Sequence, residues 1–119
     1  MAIVNLDLVG AFAINPGYEW RVNLYYPGNA VALSLWGQIW QSYLPEAGLT
    51  KFTFERATYD QPLNRTRIPI VLSSFQTRSI EPTEGGYYVY EVRSSLPGKQ
   101  PIALLAGKVH VNQTLQNLI

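Results

Sequence analysis

Between Gly85 and Val111 the chain reads GGYYVYEVRSSLPGKQPIALLAGKVHV. Tyr87 to Ser95 is aromatic and β-branched, which suits a pleated, half-buried surface. Gly85-Gly86 opens this run, Pro97-Gly98 supplies turn chemistry, and Ile102 to Val111 runs back as a second strand. Gly107 inside the return strand marks a bulge or the close approach of another backbone. Two long strands joined by a tight turn form a hairpin, and the hairpin commits the chain to an all-β class.

The rest of the chain agrees with that class. Ala2 to Leu8 reads as a first strand with Val4, Leu6 and Leu8 on one face. Asn15-Pro16-Gly17 turns the chain. From Gly17 to Tyr26 the period is two: Tyr18, Trp20, Val22, Leu24 and Tyr26 point one way, and Glu19, Arg21, Asn23 and Tyr25 the other. Val31 to Leu35 alternates until Gly37 interrupts it, and Ile39 to Leu44 continues as a strand. Leu49 to Arg56 alternates again, with Phe52 and Phe54 on one face. Ala57 to Arg67 is polar and loop-like, and its length predicts a functional loop that touches a neighbouring subunit. Ile68 to Ser74 is a strand in which Pro69 argues for an edge or a strand start. Phe75 to Ile80 has room for one helical turn. The expectation is a single β-sandwich domain over residues 1–119, with seven to eight strands and a C-terminal tail from 112 to 119.

Composition narrows the function classes. At 119 residues the chain buries roughly two-thirds of its unfolded surface and needs no covalent staples. It has no cysteine, so disulfides and thiolate chemistry are excluded. The start of the chain does not read as a signal peptide, and no apolar run approaches the ~18 residues of a membrane span. A net charge of +1 gives no mandate for nucleic acid. Charged residues make up only 14% while aromatics reach 13%, so part of the surface is neutral or apolar, as interaction surfaces are.

Catalytic and ligand-binding chemistry is thinly represented. His110, the one histidine, alternates with Val109 and Val111 and points away from their face. No set of His, Cys or carboxylate residues has metal-ligand spacing. Glu81 and Glu84 lie on a Pro/Gly-rich loop, without the facing pair across a cleft that glycoside hydrolysis needs. Gly85-Gly86 lacks the helix and lysine of a phosphate loop. No enzyme activity and no cofactor are expected. Arg56, Arg65, Arg67 and Arg78 read as solvated or salt-bridged, although with Tyr59 they could instead converge on a ligand. Trp20, Trp36 and Trp40 are expected in the inter-sheet core, with a sugar-stacking platform as the alternative. Tyr25 is the better surface aromatic.

The segments NPGYEWRVNLYY, PGN, LSLWG, GGYYVYEV, LPGKQ and LLAGKVHV resemble those of small tailed-phage structural proteins with an immunoglobulin-like β-sandwich. They are also similar to the N-terminal domains of phage baseplate upper proteins. Ser34 departs from the pattern, which usually has an acidic residue there. The resemblance implies an immunoglobulin-like antiparallel sandwich in a virion component assembled in the host cytoplasm. A capsid cement or decoration subunit fits best, bound to the major capsid protein or other virion proteins as a homo-oligomer, expected to be a trimer. A tail or baseplate adaptor and a module binding a host surface glycan are the alternatives. The residues expected at interfaces are Tyr25, Tyr59, Arg65, Arg67, Tyr87, Leu115, Leu118 and Ile119. The Leu115–Ile119 tail and the first strand are expected to extend a neighbour's sheet.

Overall fold

In the computed structural model, which describes residues 4–41, 48–81, 87–95 and 102–112, alternation becomes nine short strands among those residues. They are β1 (Val4–Asn5), β2 (Trp20–Pro27), β3 (Ser34–Trp40), β4 (Gly48–Lys51), β5 (Thr53–Phe54), β6 (Thr58–Asp60), β7 (Arg65–Leu72), β8 (Tyr88–Ser95) and β9 (Ile102–Val109). One short helix, α1 (Ser74–Arg78), follows β7. One sheet has the order β1-β9-β8-β3-β4; the other runs β2-β7-β5, with β6 also on β7. This is an immunoglobulin-like β-sandwich, antiparallel except where β1 lies parallel to β9. A further immunoglobulin-like device is Tyr88 at the start of β8, whose hydroxyl donates to the Glu81 carbonyl at 2.9 Å.

The core lies between the sheets. Phe52 is its aromatic centre, 5.5 Å from the Trp20 ring and 6.0 Å from Tyr90 in an edge-on contact. Ile39, Ile70, Leu72, Val92, Val109 and Val111 pack around it, all buried. Strand β2 keeps the expected phase, with Trp20, Val22 and Leu24 inward and Arg21, Asn23 and Tyr25 outward. Tyr18 lies before the strand and is exposed. Two buried threonines clasp the loops at either end of β2. Thr66 Oγ1 accepts from Ala30 N–H and donates to the Gly28 carbonyl. Thr77 Oγ1 accepts from Gly17 N–H and donates to the Tyr18 carbonyl.

Several expectations need correction. Gly37 does not interrupt a strand but sits inside β3, where a Cβ would come within 2.9 Å of the Phe52 ring and 3.1 Å of Val92. The run Leu49 to Arg56 is not one strand: it changes sheets at Phe52, whose N–H donates to the Gly37 carbonyl. Ala57 to Arg67 is no open loop but the hairpin of β6 and the start of β7, turned by Asn64 at φ 47° and held by Tyr59 Oη–H to Asn64 Oδ1. Pro69 sits in central strand β7. Its carbonyl accepts from Glu55 N–H, so its ring nitrogen faces Glu55–Ala57, where the neighbouring strand bulges by one residue between β5 and β6. A central proline is tolerated because no ladder donor is needed there. The helical turn forms a residue early, capped by Ser73 and Gln76 reciprocally. The turn expected at Pro97-Gly98 lies outside the described residues.

The N-terminal segment is the least regular part. After β1 it keeps to β9 through isolated bridges, at Leu8 opposite Val109 and at Ile14 opposite Val111, just past the end of β9. Leu8 is buried, but Leu6 is exposed rather than sharing its face. A close approach at Gly107 makes this path possible, because a Cβ there would strike the Leu6 carbonyl oxygen. The same oxygen accepts the Tyr90 hydroxyl at 2.6 Å. Gly107→Ala is therefore expected to displace the first strand while leaving β2 to β8 in place. Amide exchange at Leu6 and Leu8, whose N–H groups donate to Ala106 and Lys108, should accelerate selectively; unchanged protection there would contradict this.

Burial foremost, and then the nearby Asp7 charge, hold the Tyr90 phenol far above its ordinary pKa of 10.0. Burial, followed by Glu81, raises Tyr88 in the same direction. A folded-state pKa above the unfolded value means that this stabilisation is complete below about pH 10 and is lost as pH rises beyond it. Denaturation midpoints should fall above that pH, and less steeply in the Tyr88→Phe, Tyr90→Phe double variant. Equal slopes in the two proteins would count against the assignment.

Candidate interaction surface

The phase of β3 builds the most distinctive surface of the molecule. Gly37 and Ile39 point into the core, so Trp36, Gln38 and Trp40 must point out of the five-stranded sheet. Trp36 is 37% exposed and Trp40 half-buried. Their rings lie 5.7 Å apart, tilted by 54°. Across the ladder, Trp36 faces Arg93, Gln38 faces Glu91, and Trp40 faces Val89. Arg93 pairs with Glu91 and places its guanidinium 5.5 Å from the Trp36 ring centroid. Lys108, opposite Val89 on β9, sits 4.8 Å from the ring of Tyr87, which is 55% exposed. The face thus carries two tryptophans and a tyrosine among polar groups that donate and accept.

The expected core placement of Trp36 and Trp40 is therefore wrong, while that of Trp20 is right. Four apart, the two tryptophans do share one strand face, but it is the outer one. The signal that would have located the pair is the register Leu35, Gly37, Ile39, with a glycine as the inward residue.

The other expected interface residues do not form one site. Tyr25, Arg65 and Arg67 come together on the outer face of the four-stranded sheet, on the opposite side of the sandwich from Tyr87. Tyr25 stands opposite Arg67, and the Arg65 guanidinium lies 4.1 Å from the Tyr25 ring centroid. Asp60 Oδ2 is 3.9 Å from Arg65 Nε. Arg21 on the same face pairs with Glu19 and Glu55, and its hydrogen bond to Glu55 holds that carboxyl below its ordinary pKa. Tyr59 is instead opposite buried Thr66 and lines an open groove of about 910 Å³ with Val31, Leu33, Leu35, Phe54 and Ile68. Arg56 lines that groove too, and Arg78 ends α1, so the four arginines do not converge. Leu115, Leu118 and Ile119 lie outside the described residues.

His110 is half-buried between buried Val109 and Val111, as the alternation requires. The Glu81 carbonyl is taken up by Tyr88, and Glu84 lies outside the described residues. Among the described residues no three His, Asp or Glu side chains are grouped to hold a metal ion, and no helix is long and apolar enough to cross a membrane. The chain matches no protein-family model, and no curated protein is similar to it in sequence.

Proposed function

We propose that this chain is a non-catalytic structural subunit of a virion that docks through the outer face of its five-stranded sheet. The observation that carries the docking reading is the Trp36–Trp40 pair, held out of the core by Gly37 and Ile39. The virion assignment is supported by the resemblance of NPGYEWRVNLYY, GGYYVYEV and LLAGKVHV to tailed-phage structural proteins. A cement subunit of this kind covers the joint between neighbouring capsid proteins and stabilises the assembled shell by binding it and not its separated parts. A tail or baseplate adaptor would use the same face on a different partner. Tryptophan and arginine dominate contact energies where water is excluded, and Trp36, Trp40 and Arg93 would act as such anchors.

Replacing Trp36 and Trp40 together by alanine should weaken attachment to particles lacking the subunit by at least about thirtyfold, the scale of one strong anchor. The circular dichroism of the sandwich should stay unchanged, since both rings lie outside the core. Wild-type attachment by the variant would overturn the docking reading. The exposed rings beside Gln38, Glu91 and Arg93 also favour a second reading, stacking on a host surface glycan. If the same substitutions abolish binding on a glycan array and leave particle attachment intact, the glycan module is the better account.

A further inference from the structure

Strand β2 forms one edge of the four-stranded sheet, and among the described residues no strand pairs with its far side. In immunoglobulin-like sandwiches the first strand commonly covers this edge. Here the first strand lies on β9 instead.

The direction of the open groups follows from one hydrogen bond. Glu55 N–H donates to the Pro69 carbonyl at 3.0 Å, so the polar backbone of Pro69 points away from β2. Pro69 stands opposite Asn23. Opposed residues in an antiparallel ladder exchange both hydrogen bonds or neither, so the N–H and C=O of Asn23 also point outward. The same holds for Arg21 and Tyr25, two residues to either side. Among the described residues this edge is not blunted before Pro27, which ends β2. Its ladder with β7 has no register break, and no proline or lysine interrupts Trp20 to Tyr26. Arg21 is turned onto its own sheet face by Glu19 and Glu55.

We infer that this edge pairs with the same edge of a second copy, antiparallel about a two-fold axis through Asn23. In that register Arg21 stands opposite Tyr25 of the second copy, Tyr25 opposite its Arg21, and Asn23 opposite itself. Every outward N–H and C=O of Arg21, Asn23 and Tyr25 then finds its complement in both copies. No like charges are directly opposed in this register: Arg21 stands against Tyr25, whose ring already carries the Arg65 guanidinium of its own chain, and the two Asn23 amides can hydrogen-bond. On the inner face Val22 stands opposite Leu24. The pairing is isologous and closes at two copies, in contrast to the trimer that the resemblance implies. It uses a different surface from Trp36 and Trp40, so the two proposals succeed or fail separately.

The test is sedimentation velocity of the whole chain over a concentration series, with amide exchange measured at the two extremes. The wild-type mass should rise from 13.4 kDa to twice that value, and the Arg21, Asn23 and Tyr25 amides should become protected only in the concentrated sample. Asn23→Lys sets two ammonium groups against each other on the axis and should weaken pairing by at least about tenfold. Asn23→Pro removes the central donor at an edge position that admits proline, with the same expected result; if it fails to fold, the lysine variant decides. Three results would each overturn the inference. One is a single-chain mass throughout. Another is an oligomer that Asn23→Lys leaves intact. The third is protection of these amides in the dilute monomer, which would mean that another part of the same chain covers the edge.

Discussion

The contact between Gly37 and the Phe52 ring sets the rest of the structure. No side chain fits at Gly37 without moving Phe52, Phe54 or Val92. A one-residue slip of β3 would push Trp36 or Gln38 against these groups, so the register against β8 is fixed. That register places Ile39 beside Tyr90 inside the sandwich and both Trp36 and Trp40 outside it. Phe52 N–H, bonded to the Gly37 carbonyl, marks the place where the chain leaves one sheet for the other. The core and the candidate docking face are thus two consequences of one close approach.

The path of the first strand is the second constraint. Gly107 gives it room on β9, the Tyr90 hydroxyl ties its Leu6 carbonyl, and the Asp7 carboxylate accepts from Lys108 N–H. A strand that runs along β9 is unavailable to β2. Among the described residues no strand takes its place on the edge at Arg21, Asn23 and Tyr25, and edges of this kind are either protected or used.

Period-two runs were legible wherever one face is buried and the other wet. Trp20 to Tyr26 and the paired strands β8 and β9 needed only alternation, and Gly107 was recognisable as a place of close approach. What failed depends on partners distant in sequence. Whether Gly37 breaks a strand or admits a phenyl ring depends on Phe52, fifteen positions on. Pro69 looked like an edge residue because the bulge that excuses it, Glu55–Ala57, belongs to another strand. The Ala57–Arg67 hairpin was hidden by its polar composition, since only Tyr59 and Thr66 of its paired residues turn inward. Tyr25 and Tyr87 were legible as exposed aromatics on two different surfaces, whereas Trp36 and Trp40, four apart on one strand face, suit an inner face equally well until the inward phase of Gly37 is known.

Both the phase of β3 and the surface built on it depend on which tryptophans face water. Oxidative footprinting of the isolated, dilute protein, read residue by residue by mass spectrometry, measures this directly. Trp36 and Trp40 should be modified readily and Trp20 protected, since only Trp20 is buried, with its indole N–H donating to the Phe12 carbonyl at 2.9 Å. Protection of Trp36 and Trp40 equal to that of Trp20 would put them in the core and contradict both the phase of β3 and the surface built on it.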